Sequence, residues 1–443
     1  MGTRTTRARH GVALLLFVTV AINYLDRSNL SVAALGLSRD LSLDPVHLGI
    51  IFSGFAWTYA FFQVPGGWLV DRFGPRGLYA SICALWSLAT LAQGLCSTFL
   101  ALLACRLLLG LFEAPSFPTC NLLVTRWFPE AERGRVIGLY TSAQYIGLAF
   151  LTPVLVLAQR RLGWHAVFFM TGAIGIAWAG IWLLAYRDPW AHAGLGEHER
   201  EHLLQGGAWS EGAHASGSYR RPTAADLRVV LTHRSLWGIY LGQFALNAVP
   251  WFFLTWFPTY LERYRHIDLA RTGYSSSLPF LAAFLGVNAS GLLSDLLPRL
   301  GVSGSAARKA PIIAGLLCST SIIAANYVSS TPWIVFFMAL SFFGNGFASI
   351  TWVLVSLIAP RELMGLTGGI FNFFGNLAGI LVPLLIGFVV KEGGFAPALL
   401  LVFGITTLGV LSYALLVGPV RRIELPQAAG APPLPARGPG PAA

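Results

Sequence analysis

The sequence predicts an all-α polytopic membrane protein, and three observations support that prediction. Apolar residues make up 55% of the 443-residue chain and charged residues only 11%, whereas a soluble domain typically carries about 25% charged residues. The apolar residues form long blocks nearly free of charge, including Leu78–Ala92, Phe169–Leu184 and Leu377–Val390. A membrane-spanning helix needs about 20 mostly apolar residues. The third observation is the uneven placement of basic residues between these blocks.

Hydropathy and the basic residues together predict twelve membrane-spanning helices. They lie at about 11–36, 48–70, 77–97, 99–124, 135–159, 165–186, 236–261, 273–297, 310–328, 332–357, 363–390 and 396–418. This topology puts 21 of the 30 Lys and Arg residues on one side of the membrane, 7 on the other and 2 inside it. Because cytoplasmic loops attract Lys and Arg, the first side is the cytoplasm. An even number of spans then places both termini there.

Charge also divides the chain into segments. Residues 187–234 hold 12 charged residues in 48, against 37 in the other 395, which is typical of a solvated loop. We therefore predict an N-terminal six-helix bundle at 1–186, a cytoplasmic linker loop at 187–234 and a C-terminal six-helix bundle at 235–420. The tail at 421–443 is rich in Pro, Ala and Gly, a composition that predicts disorder.

Several other functions are disfavoured. The net charge of +11 is explained by topology, so we expect no nucleic-acid partner. The five cysteines form no CxxC pair, which favours a packing role. The segment His198–His202 fits the HExxH zinc pattern, but a loop of 48 residues cannot build the core that a zinc protease needs. We therefore predict no metal site, no cofactor other than protons as coupling ions, and no enzymatic activity.

A repeated loop signature relates the two halves of the chain. Gly67, Asp71, Arg72, Gly74 and Arg76 form a Gly-x-x-x-Asp-Arg-x-Gly-Pro-Arg segment after the second span, and Gly291-x-x-x-Asp295 follows the eighth. Equivalent loops six spans apart indicate an internal duplication, a common plan in transporters. The first loop resembles the cytoplasmic signature of the major facilitator superfamily. That resemblance implies twelve helices in two pseudo-symmetric six-helix bundles, the major facilitator fold, and a gating role for Gly67, Asp71, Arg72, Gly74, Arg76 and Asp295.

Further segments resemble the anion:cation symporter family of that superfamily. They are Asn23–Ser31, Arg106-x-x-x-Gly110-x-x-Glu113-Ala114-Pro115-x-x-Pro118 and Trp127–Arg133. Three more are similar to bacterial sugar-acid carriers, D-galactonate:proton symporters above all: Tyr140–Gln144, Phe252–Pro258 and Gly369–Asn376. The resemblance implies a bacterial inner-membrane location and covers both halves of the chain.

Four charged residues lie inside the predicted spans: Asp26, Arg27, Arg106 and Glu113. Such a residue costs about 2.5–3.5 kcal/mol at a helix centre on insertion scales, so its presence favours a function. The four charges sum to zero, which permits pairing inside the bundle. Arg106 and Glu113 are seven residues apart and share a helix face. A purely structural ion-pair network is the alternative interpretation, although buried pairs rarely stabilise a fold more than apolar packing does.

We hypothesise a division of roles among these four residues. Arg27 holds the substrate carboxylate, Asp26 and Glu113 carry protons, and Arg106 stabilises deprotonated Glu113. Burial and a nearby arginine act in opposite directions on the proton affinity of a carboxyl group, and that balance suits a group that loads and releases a proton.

The hydroxyl groups of a sugar acid need hydrogen-bonding partners on a mostly apolar wall. The resemblance to the galactonate carriers favours, besides Arg27, a set from both halves: Tyr24, Tyr59, Gln144, Ser349, Thr351, Trp352 and Asn372. Any one Tyr, Trp or Ser in a span can instead serve helix packing or anchor the helix at the membrane interface.

The sequence thus predicts proton-coupled uptake of a sugar-acid anion, D-galactonate or a related hexonate, by alternating access. Hexuronate, glucarate, tartrate and aromatic acids remain alternative substrates, because specificity rests on a few hydrogen bonds. A membrane sensor that does not transport is the alternative of another class. The expected partners are an organic anion, protons and membrane lipid, with a monomer as the default state.

Overall fold

The computed structural model of the protein describes residues 8–192, 195–208, 224–267, 269–360 and 363–424. Within these ranges the chain is helical and contains no strand. The helices are α1 (Ala8–Asp40), α2 (Pro45–Phe73), α3 (Pro75–Gln93), α4 (Phe99–Glu113), α5 (Ser116–Trp127), α6 (Glu130–Leu162), α7 (Trp164–Ala185), α8 (Glu197–Gln205), α9 (Ala224–Thr232), α10 (Arg234–Thr255), α11 (Phe257–Thr259), α12 (Leu269–Arg299), α13 (Gly304–Ser319), α14 (Thr331–Phe347), α15 (Thr351–Ile358), α16 (Met364–Gly393) and α17 (Phe395–Leu411). Short 3-10 or π turns extend α11, α13 and α17.

These helices confirm the predicted all-α polytopic fold. Each of the twelve predicted spans corresponds to one helix or to two nearly continuous ones, such as α4 with α5 and α14 with α15. Ten of the segments in the described residues are long and apolar enough to cross a membrane. The other two, α3 and α10, contain more polar residues, including Gln93 in α3 and Gln243 and Asn247 in α10.

Helix packing has the pseudo-symmetry that the repeated signature predicts. In the first half, α1 packs on α6, α2 on α4, and α3 on α7. The helices six spans later make the same pairs, because α10 packs on α16, α12 on α14, and α13 on α17. The contacts between the halves obey the same relation: α2 packs on α16 and α6 on α12. The predicted domain boundaries remain predictions, as do the parts of the linker and the tail that lie outside the described residues.

The two halves meet closely at one end, which we call the closed end: the α1–α2 loop and the α16–α17 junction. There, a Cβ on Gly49 would lie 2.8 Å from the carbonyl oxygen of Pro383, and one on Gly387 would lie 2.6 Å from that of Pro45. At the opposite end, Gly138 of α6 has no atom that a Cβ would meet within 4 Å, and the same holds for Gly291 of α12 and Gly369 of α16. The two halves therefore pack closely at the end opposite the N-terminus.

Helix breaks position two parts of the chain that the sequence singled out. α4 ends at Glu113, and α5 starts at Ser116 after a break at Ala114 and Pro115. Between α2 and α3, Gly74 has φ +75°, a left-handed conformation that only glycine adopts without strain. This residue turns the chain between two spans.

Gly110 permits close packing beside the candidate site. A Cβ at this position of α4 would lie 2.1 Å from the carbonyl oxygen of Phe55 and 2.4 Å from the hydroxyl of Thr58. We expect Gly110→Ala to push α4 away from α2 and to cost about 1–3 kcal/mol, the usual range for overpacking. Thermal unfolding in detergent measures the effect. The control Gly180→Ala meets no atom within 4 Å, so equal losses in both variants would contradict the explanation.

Candidate functional site

A buried ion pair joins α1 to the end of α4. Arg27 donates from Nε to Oε1 of Glu113 at 2.7 Å, and its second guanidinium nitrogen contacts the same oxygen. The Arg27 side chain is 6% exposed and that of Glu113 is fully buried. The second oxygen of Glu113 has no hydrogen-bond partner in the described residues. Of the four intramembrane charges, these two form the direct pair.

Three aromatic rings surround the guanidinium of Arg27. Its central carbon lies 4.7 Å from the ring centre of Tyr24, 4.7 Å from that of Tyr59 and 4.8 Å from that of Phe55. Rings at this distance attract a cation through their electron-rich faces, so they hold the guanidinium in place without taking its hydrogen-bond donors. Tyr24 and Tyr59 were predicted from the resemblance. Phe55 was not, because an apolar ring in a span carries no signal of such a contact.

Asp26 and Arg106 are buried beside the Arg27–Glu113 pair, and Arg106 lies 5.8 Å from the ring centre of the same Phe55. Asp26 is fully buried, Arg106 is 1% exposed, and the Arg106 guanidinium lies 3.5 Å from the backbone oxygen of Asp26. Asp26 forms no ion pair within 4 Å in the described residues. Arg106 likewise forms no ion pair there within 4 Å, so Glu113 is paired with Arg27 rather than with Arg106. The predicted roles of Asp26 and Arg106 remain predictions.

A chain of polar side chains crosses from α1 to α3 behind the ion pair. The hydroxyl of Ser116 donates to the side-chain oxygen of Asn23 at 3.0 Å, and Tyr79 lies 2.9 Å from Ser116. Farther along α1, Asn29 donates to the hydroxyl of Thr171 at 3.1 Å. Sequence reasoning assigned no role to this network, since Asn, Ser and Thr inside a span are as typical of helix packing.

In the second half, the predicted Thr351 and Trp352 lie on α15, Asn372 lies on α16, and Ser349 lies in the turn before α15. Thr351 donates its hydroxyl to Gln243 of α10 at 3.0 Å, and a Cβ on Gly375 of α16 would lie 3.3 Å from the same Gln243 side chain. Asn372 of α16 donates to Gln63 of α2 in the first half. Asn372, a predicted substrate ligand of the second half, therefore contacts the first half. This hydrogen bond is a candidate to change when the two halves separate.

The remaining predicted substrate ligands are less buried. Gln144 and Ser349 are half-buried, and Trp352 is 51% exposed with its ring against Phe371. The structure brings Tyr24, Arg27 and Tyr59 together around Glu113. It places Thr351 and Asn372 beside Gln243 and Gln63, two partners that the prediction did not include.

The signature loop, residues 67–76, lies at the end of the bundle opposite the closed end. Arg72 stacks on the rings of Trp68 and Phe73 at 5.2 and 5.6 Å. Arg76 donates to the backbone oxygen of Leu183 at 2.9 Å, near the C-terminus of α7, where a cation is favoured by the helix dipole. The Asp71 and Asp295 side chains lie outside the described residues. The predicted gating role of this loop, including Gly67 and Gly74, remains a prediction.

At the closed end, an ion pair joins the halves. Lys391 donates to one oxygen of Asp44 at 2.9 Å, and the backbone N–H and ring of His47 contact the other at 2.8 Å each. Burial alone raises the pKa of Asp44, but these hydrogen bonds outweigh it and hold the pKa well below its usual range. A lowered pKa means that the pair is present above the ordinary carboxyl range and is lost only as the pH falls through the lowered value.

We expect Lys391→Gln to weaken closure of this end only slightly. The Lys391 side chain is 50% exposed and that of Asp44 34%, and such pairs are worth at most about 1 kcal/mol. The open population should therefore rise by up to about fivefold. Energy transfer between dyes on the two halves measures this. The exposed neighbour Glu392→Gln should leave the signal unchanged, and a large effect of that control would contradict the assignment.

No group of three or more His, Cys, Asp or Glu side chains suited to a metal ion occurs in the described residues. The HExxH segment is instead part of α8, where His202 lies 3.2 Å from Glu132.

Comparison with known proteins agrees with this architecture. The family model described as Major Facilitator Superfamily matches residues 16–383. The chain is 48% identical to a D-galactonate transporter of Escherichia coli O6:H1 (strain CFT073), over 94% of this chain and 97% of that protein. It is 39% identical to a probable galactarate/D-glucarate transporter of Escherichia coli (strain K12), over 96% and 97%.

Solved structures give the same fold. A D-xylose-proton symporter matches with a TM-score of 0.70 at 14% identity, covering 93% of this chain and 98% of the other. The chain belongs to the major facilitator superfamily and, within it, to the family of sugar-acid transporters that includes the D-galactonate transporter.

Proposed function

We propose that this protein imports a sugar-acid anion, D-galactonate or a related hexonate, by proton symport with alternating access. The direction is into the cell across the bacterial inner membrane, with both termini cytoplasmic. D-galactonate is favoured over other sugar acids because the chain is 48% identical to the D-galactonate transporter and 39% identical to the galactarate/D-glucarate transporter. A further relative, 33% identical over 94% of this chain, is a probable L-galactonate transporter of Escherichia coli (strain K12).

The buried pair of Arg27 and Glu113 is the observation that carries this proposal. An arginine presents a planar fork of donors that matches a carboxylate, and here that fork is occupied by Glu113. A proton on Glu113 removes its negative charge and frees Arg27 for the carboxylate of the substrate. Loss of the proton restores the internal pair and expels the substrate. Proton and anion binding are thereby linked through one guanidinium.

The membrane potential gives the coupling its direction. An anion that enters against an inside-negative potential pays about 2.3 kcal/mol per 100 mV. One proton per monovalent anion makes the step electrically neutral, and a second lets the potential drive uptake. Asp26 is the candidate for a second proton, because it is fully buried and has no ion-pair partner in the described residues.

Alternating access is consistent with the contacts between the halves. The closed end is held by Gly49 against Pro383 and by Lys391 with Asp44. Opening of this end requires these contacts to break as the halves rock about the ion pair. Asn372 and Gln63 lie between the halves and are placed to respond to that motion.

Reconstitution into liposomes tests the proposal. Vesicles made alkaline inside by about two pH units should accumulate labelled D-galactonate up to about 100-fold for one proton per anion, and a protonophore should abolish the accumulation. Competition by hexuronates, galactarate, tartrate and aromatic acids ranks the alternative substrates. If no organic anion accumulates although the protein is folded, the transport proposal is wrong and a sensor becomes the better explanation.

A further inference from the structure

A second charged cavity lies at the closed end, away from the Arg27–Glu113 pair. It has a volume of about 420 Å³, within the range of about 300–1,000 Å³ typical of small-molecule sites. Residues of both halves line it: Leu35, Ser38, Arg39 and Leu43 from the first, and Glu262, Arg263 and His266 from the second. We call this cavity the vestibule.

The charges in the vestibule favour an anion. Two arginines and a histidine face one carboxylate, that of Glu262. Within the described part of the chain, neither Arg39 nor Arg263 forms an ion pair or a hydrogen bond, while the nearby Asp40 accepts a hydrogen bond from Trp164 at 2.7 Å. Two exposed guanidinium groups without such partners, one from each half, are suited to bind carboxylate oxygens.

The location of these arginines makes them unusual. The predicted topology places only 7 of the 30 Lys and Arg residues on the non-cytoplasmic side, since basic residues there oppose the positive-inside preference. Two of those seven line this one cavity. His266 has a left-handed backbone with φ +53°, which is strained for a residue with a side chain, and strain of this kind is typical of functional positions.

We propose that the vestibule is a second binding site, for an organic dicarboxylate, that holds the closed end shut. Arg39 belongs to the first half and Arg263 to the second, so an anion that contacts both has higher affinity for the closed arrangement than for the separated one. A ligand shifts a conformational equilibrium by its difference in affinity. An external dicarboxylate therefore slows import by stabilising the state that is closed to the outside. This last consequence rests on the proposed function and its orientation.

Binding is measured in a transport-dead protein, so that the test is independent of uptake. The full-length double variant Arg27→Gln/Glu113→Gln removes the carboxylate-binding pair of the central site. Galactarate is the probe, and the rise of the thermal unfolding temperature in detergent with probe concentration gives its affinity. Adding Arg39→Gln or Arg263→Gln should weaken that affinity about threefold to tenfold each, because both arginines are exposed and water competes for the charged hydrogen bonds that they form.

The control is Arg161→Gln, an exposed arginine at the end of α6 that does not line the vestibule. Equal stabilisation by galactarate with and without Arg39 and Arg263 would overturn the proposal, as would a loss of the same size in Arg161→Gln. If Arg39→Gln lowers the unfolding temperature without ligand, the conservative Arg39→Lys keeps the test valid, and partial retention of affinity is then expected. Failure of D-galactonate uptake by the unmodified protein would refute the proposed function and leave this binding result standing.

Discussion

Replacing Glu113 with glutamine is expected to abolish proton-driven accumulation while leaving exchange of substrate intact. Glutamine has the shape of the protonated acid but cannot lose a proton. Arg27 then stays free of its internal partner, and the substrate carboxylate binds at every pH. The accumulation ratio in vesicles alkaline inside should fall from up to about 100-fold to about one, whereas counterflow between substrate-loaded vesicles and labelled external substrate should persist.

A surface carboxylate provides the control for this experiment. Glu130→Gln changes the same chemical group at the start of α6, where the side chain is 78% exposed, and should retain normal accumulation. If Glu113→Gln still concentrates substrate on a pH gradient, Glu113 does not carry the coupling proton. If Glu113→Gln loses counterflow as well as accumulation, the transfer of Arg27 from Glu113 to the substrate carboxylate is not the coupling step.

Asp26 can be separated from Glu113 by the same assay. If Asp26 carries a second proton, Asp26→Asn should keep uptake driven by a pH gradient but lose its response to an imposed potential, because one proton per anion is electrically neutral. The uptake rate with and without a potassium diffusion potential measures this. A response to potential that survives in Asp26→Asn would remove Asp26 from the coupling.

Much of the fold could be predicted from the sequence because each membrane-spanning helix is specified by its own local segment of the chain. A helix in lipid must satisfy its backbone internally, so each apolar block of sufficient length becomes a span, and the arginines orient the set. α3 and α10 were found by the same hydropathy and charge pattern, although neither is among the ten segments that are apolar enough to cross a membrane by length and composition alone. The pairing of α2 with α16 could not be predicted, since a hydropathy pattern does not record which helices touch.

The candidate site could be predicted only in part. Arg27 and Glu113 are conspicuous because a charge in a span is costly. Their pairing is not visible in the sequence, where the seven-residue spacing suggested Arg106 as the partner of Glu113. Arg106 and Glu113 lie on one face of α4, but Glu113 pairs with a residue of another helix. The Nε of Arg27 in α1 lies 2.7 Å from Oε1 of Glu113. Phe55 and Gln243 were missed because neither an apolar ring nor a single amide marks a binding site on its own.

Arg27→Gln is expected to lose substrate binding and to destabilise the folded protein. Truncating one partner of a buried charge pair costs about 3–5 kcal/mol, since Glu113 is left buried without its arginine. Substrate affinity should fall by at least about 30-fold, which corresponds to the lower limit of about 2 kcal/mol for a buried charged hydrogen bond. Isothermal calorimetry measures the affinity, and thermal unfolding in detergent measures the stability.

The double variant Arg27→Gln/Glu113→Gln separates the two effects. Replacing both charges removes the unpaired carboxylate, and replacing a buried ion pair with well-packed apolar residues of similar volume is often without net cost. Two glutamines are neutral and can hydrogen-bond to each other, so we expect a similarly small cost here. Stability should therefore return to about that of the unmodified protein, while substrate binding remains lost. The more exposed pair of Lys391 and Asp44, whose side chains are 50% and 34% exposed, is the control, because Lys391→Gln should change stability by about 1 kcal/mol or less.

Arg27→Lys tests the geometry of the site rather than its charge. Lysine keeps the positive charge beside Glu113, so stability should change little. It lacks the planar fork that binds two carboxylate oxygens and stacks on aromatic faces, and the three rings around Arg27 are spaced for a guanidinium. Affinity should therefore fall while the fold persists. Full affinity in Arg27→Lys would mean that the substrate is held by charge alone, and the aromatic surroundings of Arg27 would then serve packing rather than recognition.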